Sequence, residues 1–217
     1  MGKRKTGPKI TWQPSAEQQV ICDHIVNGDN VIVNAVAGSG KSTSILTVAN
    51  ALPKKSFLQI TYNAALRKEF RDKVDEIGLT NIEVHTYHSF CVQYFSKEAY
   101  TDTGIRNFLY DIRNSNGIES MPIPVVPSFD IVVLDESQDM TALYFHLVSY
   151  MINIMCGGCG GGTKKRGRPH KIQLLILGDF MQGLYEFKGA DIRFLTLAHE
   201  IWDNYHHLKS HVFHRCT

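Results

Sequence analysis

The sequence predicts an α/β fold in which a parallel β-sheet is covered by helices on both faces. Short, almost entirely apolar runs alternate with longer stretches of helical character, which is the order expected of strands joined by crossover helices. The apolar runs are typical of strands buried on both faces, because such strands lack the alternation of polar and apolar residues. The chain has 217 residues, which suits one domain, or one domain with a fragment of another.

A tail and a capped helix precede the first strand. Residues 1–14 open with MGKRKTGPK and predict a basic, flexible tail. The next stretch predicts a helix in which Ser15 is the N-cap, Gln18 completes a capping box and Gly28 ends the helix. Residues 30–35, NVIVNA, follow as the first buried strand.

Further strands and helices then alternate along the chain. Helices are predicted from KSTSILTVANAL and AALRKEFRDKVDEI, and strands from SFLQITYN, IEVHTYHSF, FDIVVLDESQD and KIQLLILGDFMQ. Two stretches interrupt this rhythm. Residues 91–127 are mixed and end in MPIPVVP, which is typical of an extended linker, and residues 156–171 form a loop that is first rich in glycine and then basic.

Composition limits the class of protein. Hydrophobic residues make up 43% of the chain and charged residues 20%, as in ordinary globular proteins. The net charge of +2 gives no overall preference for polyanions, although KKRGRPHK at 164–171 is a local basic cluster. No apolar run reaches the roughly 20 residues that span a bilayer. We therefore expect a soluble intracellular protein with reduced thiols and no membrane partner, and the lone Cys156-x-x-Cys159 pair is too few ligands for structural zinc.

A glycine-rich loop joins the first strand to the next helix. Its sequence, NAVAGSGKST at 34–43, has glycines that let backbone N–H groups approach a phosphate at the helix N-terminus. Lys41 is expected to reach the β- and γ-phosphates of ATP, and Ser42 to hold Mg²⁺. The other expected nucleotide contacts in the loop are Ala37, Gly38, Ser39, Gly40 and Thr43. The alternative is a chance turn, against which the flanking strand and helix argue.

An acidic pair ends the fourth predicted strand. IVVLDESQD places Asp135 and Glu136 at its carboxyl end, the edge at which ligands bind in open α/β sheets. We predict that Asp135 holds Mg²⁺ and that Glu136 orients or deprotonates the attacking water. The alternative is a pair of acids that caps an ordinary strand. The phosphate loop in the same chain argues against this alternative.

A third motif resembles that of a known family. LGDFMQGLYEFKGA at 177–190 is similar to the third motif of superfamily 1 DNA helicases of the UvrD/Rep type, roughly G-D-x-x-Q-x-I-Y-x-[FW]-[RK]-G-A. The phosphate loop matches the A-x-A-G-S-G-K-[ST] form of that family, in which Ala35 is the normal first residue. The segments TYN and TYHSF resemble those of the branch with the F-box DNA helicases and related viral proteins.

The resemblance implies a RecA-like P-loop NTPase domain that binds ATP with Mg²⁺. In this family Gln18, with Gln19 as the alternative, would read the adenine edge, and Gln182 would sense the γ-phosphate. Tyr185 and Phe187 would stack on bases of single-stranded DNA, unless they pack in the core.

Four further residues would contact the DNA strand if the resemblance holds. They lie in ITYN and VHTYHSF and are Thr61, Asn63, Thr86 and His88. For His88, a structural hydrogen bond is an equal alternative.

The resemblance also divides the chain into parts. Residues 15–205 would form the first RecA-like domain, with 91–127 as a reduced form of the accessory subdomain 1B. Residues 206–217 would begin a second motor domain, in which Arg215 would reach the γ-phosphate; the alternative is a frayed basic terminus. Because the second domain of the family supplies an arginine that completes the ATP site, we expect this chain alone to bind nucleotide but to hydrolyse it slowly, without unwinding DNA.

The basic loop carries a separate signal. In RGRP, the core of an AT-hook, Arg166 and Arg168 would enter an A·T-rich minor groove. The alternatives are a solvated surface loop and a nuclear import signal. The import signal would place the chain in the nucleus of a eukaryote, and the viral relatives would place it at a viral replication site.

Together the motifs predict the ATP-binding domain of a UvrD/Rep-like DNA helicase. Its partners would be single-stranded DNA and DNA junctions, in repair or recombination, and a second motor domain would be needed for full activity. The alternative is a non-motor regulatory module that binds nucleotide and DNA without turnover.

Overall fold

Six strands form a parallel sheet in the order β3-β2-β4-β5-β1-β6. The computed structural model describes residues 10, 12–114, 126–156, 171–182, 189–206 and 210–215, with side chains described as far as residue 202. The strands are β1 (Asn30–Ala35), β2 (Phe57–Thr61), β3 (Ile82–Thr86), β4 (Ile131–Leu134), β5 (Gln173–Gly178) and β6 (Ser210–Arg215).

Helices cover both faces of the sheet, which confirms the predicted α/β fold class. Helices α1–α3 pack on one face and α4–α8 on the other. The helices are α1 (Ala16–Asn27), α2 (Lys41–Ala51), α3 (Ala64–Ile77), α4 (Tyr87–Tyr94), α5 (Asp102–Asn114), α6 (Ala142–Met155), α7 (Arg193–Thr196) and α8 (Ala198–His206). Short 3₁₀ turns follow β4 at Ser137–Asp139 and β5 at Phe180–Gln182.

The predicted caps of α1 are confirmed. The Ser15 hydroxyl accepts a hydrogen bond from the Gln18 N–H, and the Gln18 side chain accepts one from the Ser15 N–H. Gly28 ends the helix with a φ of 95°, a left-handed conformation that favours glycine. Local sequence alone therefore determines where this helix begins and ends.

The last described strand corrects one expectation. Residues 206–217 were expected to begin a second domain, but β6 pairs with β1 of the first sheet, from Asn30 opposite Ser210 to Ala35 opposite Arg215. Without β6, β1 would be an edge strand with unpaired backbone groups beside the phosphate loop. The sheet is therefore completed by a segment that the helicase-like sequence pattern assigned elsewhere.

The two faces of the sheet bury different kinds of side chain. The face under α4–α8 is rich in aromatic residues: Phe90 is fully buried, and its ring centroid lies 4.9 Å from that of Tyr94. The face under α1–α3 is mainly aliphatic and includes Val31, Val33 and Val133. Burial on both faces explains why the strands lack polar alternation.

The region expected as a reduced accessory subdomain, residues 91–127, contains the end of α4 and all of α5. Ile105 and Phe108 of α5 join the same buried cluster as α4 and α6. This helix is therefore part of the main core. Among the described residues, none of the helices combines the length and apolar character needed to cross a membrane.

Replacing Phe90 with alanine should lower the free energy of unfolding by about 3–5 kcal/mol, because it removes a fully buried ring and leaves a cavity. Urea denaturation measures the change. The matched control is Tyr110→Ala on α5, where 67% of the residue is exposed, and its effect should stay within about 0.5 kcal/mol. Equal losses in the two variants would contradict the assignment of Phe90 to the core.

Candidate nucleotide site

The phosphate loop connects the carboxyl end of β1 to the first turn of α2. Gly38 and Gly40 have φ values of 76° and 87°, which turn the chain so that α2 begins at Lys41. A Cβ at Gly38 would have no atom within 4 Å, so the space in front of this residue is open. The Ser39 hydroxyl is buried and has no hydrogen-bond partner among the described residues. An open loop with a spare donor fits a phosphate group.

Lys41 faces the acidic pair across the sheet edge. Its ammonium group donates to the Ala35 carbonyl oxygen at 3.2 Å and lies 3.7 Å from Glu136 Oε2. Only 9% of the Lys41 side chain is exposed, so the cation depends on these acceptors. Ser42 and Thr43, both half-buried, complete the first turn of α2. The structure thus brings together the predicted phosphate-binding lysine and the predicted acid.

Asp135 lies at the end of β4 and is buried. Its carboxylate accepts hydrogen bonds from Gln59 Nε2 and from the Glu136 N–H, both at 3.1 Å. Burial, and secondly the charge of Glu136, raise the pKa of Asp135 to about 7. A buried carboxylate next to a second one is a suitable ligand for a divalent cation, since the cation offsets both effects.

Glu136 is held in a strained backbone conformation. Its φ of 54° makes it the one non-glycine residue with positive φ in the part of the chain that the structure describes. Such strain is characteristic of functional sites, where the surrounding contacts over-determine one conformation. Glu136 Oε2 accepts a hydrogen bond of 2.7 Å from Gln138 Nε2, in addition to its contact with Lys41. The side chain is therefore aimed at the phosphate loop.

Gln138 is a site residue that our sequence reasoning missed. It is buried, and while Nε2 donates to Glu136, Oε1 accepts the Asp179 N–H at 3.0 Å. The amide thereby joins the acid after β4 to the end of β5. Gln138 is part of the DESQD motif, but the motif does not reveal which residues its side chain contacts.

Asp179 is the second residue that was missed. Its carboxylate accepts the Ala37 N–H at 2.8 Å and the Met181 N–H at 3.0 Å. Asn34 of β1 accepts the Phe180 N–H at 3.2 Å. The turn Phe180–Gln182 is thus anchored to the phosphate loop, and Gln182 at the end of this turn is exposed.

Gln18 lies next to the phosphate loop but is already engaged. Its Nε2 donates to the Gly40 carbonyl oxygen at 3.3 Å, while Oε1 accepts the Ser15 N–H at 2.9 Å. The alternative, Gln19, donates to Asp23 Oδ1 at 2.8 Å on the exposed side of α1. In this structure Gln18 supports the loop, and its reading of adenine stays a prediction.

The four predicted DNA contacts lie at the same carboxyl edge of the sheet. Thr61 and Thr86 are opposite each other at the ends of β2 and β3. Asn63 caps α3 by accepting the Leu66 N–H at 2.9 Å, and Thr86 caps α4. His88 Nε2 lies 2.9 Å from Asp102 Oδ1, a contact that fits the structural alternative, and contact of His88 with DNA stays a prediction. Three of these side chains therefore have local structural roles.

Several predicted residues cannot be placed. Tyr185, Phe187, Arg166 and Arg168 lie outside the described residues, as does Cys159. The backbone of Arg215 pairs beside Ala35 at the end of β6, but its side chain is not described. Within the described ranges, no cluster of three or more histidine, cysteine or acidic residues suits a metal ion.

The residues that are placed fit ATP with Mg²⁺. The open loop, the Ser39 hydroxyl and the nearly enclosed Lys41 ammonium group suit the phosphates. Ser42 and Asp135 would be the predicted oxygen ligands of Mg²⁺. They would supply fewer than half of the cation's usual six ligands, which is typical of Mg²⁺ that also binds phosphate and water.

The sequence profile of the AAA_19 family, described as an AAA domain, matches residues 18–188. This span includes the phosphate loop, the acidic pair and the third motif. No curated protein matches the sequence significantly. The profile agrees with the resemblance to superfamily 1 helicases that the motifs carry.

Solved helicase structures share the fold. The Pif1 helicase from Candida albicans has a TM-score of 0.54 and 15% sequence identity, over 95% of this chain and 40% of that one. The DUF1998 helicase MrfA bound to DNA has a TM-score of 0.53 and 8% identity, over 93% and 27%. The helicase domain of Pyrococcus furiosus Hef has a TM-score of 0.53 and 13% identity, over 94% and 38%. At these identities the likeness concerns the fold, and this chain spans less than half of each of those proteins.

Mg²⁺ binding should weaken as the pH falls below 7, because a cation must then displace the proton of Asp135, whose pKa is raised to about 7. The raised pKa also means that this group makes folding less favourable as the pH rises from about 4 to 7 without metal. Thermal unfolding with and without Mg²⁺ at pH 6 and pH 8 measures both effects. The stabilisation by Mg²⁺ should be larger at pH 8 and absent in Asp135→Asn. Equal stabilisation of the wild type at both pH values would contradict this.

Gln138→Leu should expose the Asp179 amide to faster hydrogen exchange and lower the free energy of unfolding by about 1–3 kcal/mol, since it leaves a buried N–H without an acceptor. Amide exchange with mass spectrometry and urea denaturation measure the two changes. The control is Gln19→Leu, where the side chain bonds only to Asp23 on an exposed surface. Unchanged protection of Asp179 would show that the bridge does not hold in solution.

Proposed function

We propose that this chain, which belongs to the AAA domain family, is the ATP-binding domain of a UvrD/Rep-like DNA helicase. In the complete motor it would couple ATP hydrolysis to movement along single-stranded DNA and to unwinding. The observation that carries the proposal is the connected site at one sheet edge: Lys41 contacts Glu136, Gln138 joins Glu136 to Asp179, and Asp179 holds the phosphate loop.

The chain's own residues supply the binding and positioning steps. The loop N–H groups and Lys41 would hold the phosphates, and Ser42 and Asp135 would hold Mg²⁺. When bound, Mg²⁺–ATP supplies the phosphoryl group and a metal charge that stabilises the transition state. If Lys41 binds the phosphates instead of Glu136, the Glu136 carboxylate would be free to orient water and to accept its proton.

The nucleotide site and the predicted DNA contacts lie at the same edge of the sheet, which supports a motor function. Gln182 lies in the turn that Asp179 ties to the phosphate loop, and the strand ends that carry Thr61 and Thr86 belong to the same edge. By resemblance, Tyr185 and Phe187 would stack on bases, and Asn63 and His88 would contact the DNA strand. Loss of the contact between Gln182 and the γ-phosphate would thus affect the predicted DNA contacts, which lie along the same edge of the sheet.

The finer assignments rest on the sequence motifs. We propose single-stranded DNA and DNA junctions as partners, contact of Arg166 and Arg168 with A·T-rich duplex, and a role in repair or recombination. An arginine from a second motor domain or protein is needed for fast turnover, with Arg215 as this chain's own contribution. The proposed location is intracellular, in a nucleus or at a viral replication site.

ATP turnover by the purified chain, with and without single-stranded DNA, tests the proposal beside two variants. Lys41→Ala should weaken nucleotide binding at least about 10-fold, because it removes the cation that faces the phosphates. Glu136→Gln should keep binding and lose about 10²–10⁴-fold in turnover, because it removes the proton acceptor.

Two results would change the conclusion. If the wild type binds nucleotide and DNA but hydrolyses no faster than both variants, the chain is a regulatory module without turnover. If the chain alone unwinds duplex DNA, it needs no second motor domain.

A further inference from the structure

We infer that the cleft between α5 and α6 is a docking site for a helix of another protein, one that carries apolar residues between two acidic ones. This α5–α6 cleft lies outside the nucleotide site, and its role goes beyond the proposed function. It has a volume of about 570 Å³. The lining residues that carry the inference are Arg106, Leu109, Tyr110, Arg113 and Leu143.

One wall of the α5–α6 cleft is a single stripe along α5. Arg106, Leu109, Tyr110 and Arg113 follow the spacing i, i+3, i+4 and i+7, which places the four side chains on one side of the helix. The core-facing residues of α5 lie on a neighbouring stripe, so the first stripe faces outward over the cleft. This spacing is the one by which a helix contacts a partner helix along its length.

The centre of the α5–α6 cleft is apolar and open to water. Leu109 of α5 and Leu143 of α6 are only half-buried, and 67% of Tyr110 is exposed. Covering such surface with apolar side chains of a partner favours association, because apolar area is removed from water. Tyrosine suits an interface of this kind, since its ring can pack while its hydroxyl group stays hydrated at the rim.

Two arginines mark the ends of the apolar stripe. Arg106 and Arg113 are both exposed, and neither pairs with an acid that the structure describes. The acidic residues of α5, Asp102 and Asp111, do not line the cleft. Seven residues of helix separate the two arginines by about 10.5 Å along the axis. Two carboxylates placed seven residues apart on a partner helix have the same separation, so both ends of the stripe can be matched by charge.

The pattern of charge favours a protein helix over a nucleic acid. Phosphates follow each other closely along DNA, with about one per 3.4 Å of axis on each strand. Here two well-separated cations flank Leu109 and Tyr110, and Leu143 faces them from α6. Leucine side chains offer no hydrogen bond to a phosphate or a sugar, whereas apolar residues between two acids match both parts of this surface.

The probe is a capped helical peptide of about 20 residues, with glutamates at positions i and i+7 and leucines at i+3 and i+4. Fluorescence anisotropy of the labelled peptide measures its binding to the full chain. The wild type should bind this glutamate peptide at least about 10-fold more tightly than a lysine peptide, in which both glutamates are replaced by lysine. The affinity for the glutamate peptide should fall as the salt concentration rises, because the paired charges are exposed.

Exchanging the charges tests which surface the peptide occupies. The double variant Arg106→Glu/Arg113→Glu should bind the glutamate peptide at least about 10-fold more weakly than the wild type, and the lysine peptide more tightly. Tyr110→Ala should weaken the glutamate peptide by about fivefold or more, because it removes the exposed ring at the centre. The matched control is Lys54→Glu, an exposed charge just before β2, and it should change neither affinity. Thermal unfolding checks that each variant keeps the fold.

Binding of single-stranded and duplex DNA to the same variants completes the test. The docking site is overturned if the wild type does not prefer the glutamate peptide, or if the double variant binds it as tightly as the wild type does. It is also overturned if the double variant loses affinity for DNA alone, since the surface would then bind nucleic acid. Lys41→Ala should bind the peptide normally, so failure of the proposed function would leave this result unchanged.

Discussion

The contact between Lys41 and Glu136 is the interaction around which the carboxyl edge of the sheet is organised. The ammonium group is nearly enclosed, and a buried cation requires an anion and further acceptors close by. The two residues follow β1 and β4, which are separated in the sheet by β5. Their contact therefore has to pass in front of the end of β5, and the residues there must leave room for it.

The end of β5 meets this requirement with a glycine and an acid. A Cβ at Gly178 would lie 2.6 Å from Gln138 Oε1 and 2.7 Å from Leu195 Cδ2, so any larger residue would displace the bridge. The Asp179 N–H donates to Gln138 Oε1, and the Asp179 carboxylate accepts a hydrogen bond from the Ala37 N–H. Close packing thus explains the glycine at 178, and hydrogen bonding explains the acid at 179. Under the proposed function, a change at the phosphates reaches the end of β5 through these two hydrogen bonds of Asp179.

Prediction from sequence succeeded where the determining contacts are local. The capping box of Ser15 and Gln18, the glycine turns before Lys41 and the apolar runs that became strands all depend on residues close in the chain. It failed for β6, because pairing of residues 210–215 with β1 depends on which sheet edge lies open after folding. It also gave Gln18 a ligand role without revealing its bond to Gly40, which lies 22 residues further along the chain.

The sequence by itself determined the α/β class, the phosphate loop and the acids at a strand end, since each is written in a short contiguous pattern. Only the tertiary structure decided that β5 separates β1 from β4, that Gln138 joins the end of β4 to the end of β5, and that Trp12 lies beside the first turn of α2. The physical reason is that these contacts join distant parts of the chain. Their distances are set by strand order and by the packing of helices on the sheet, and no local pattern encodes either.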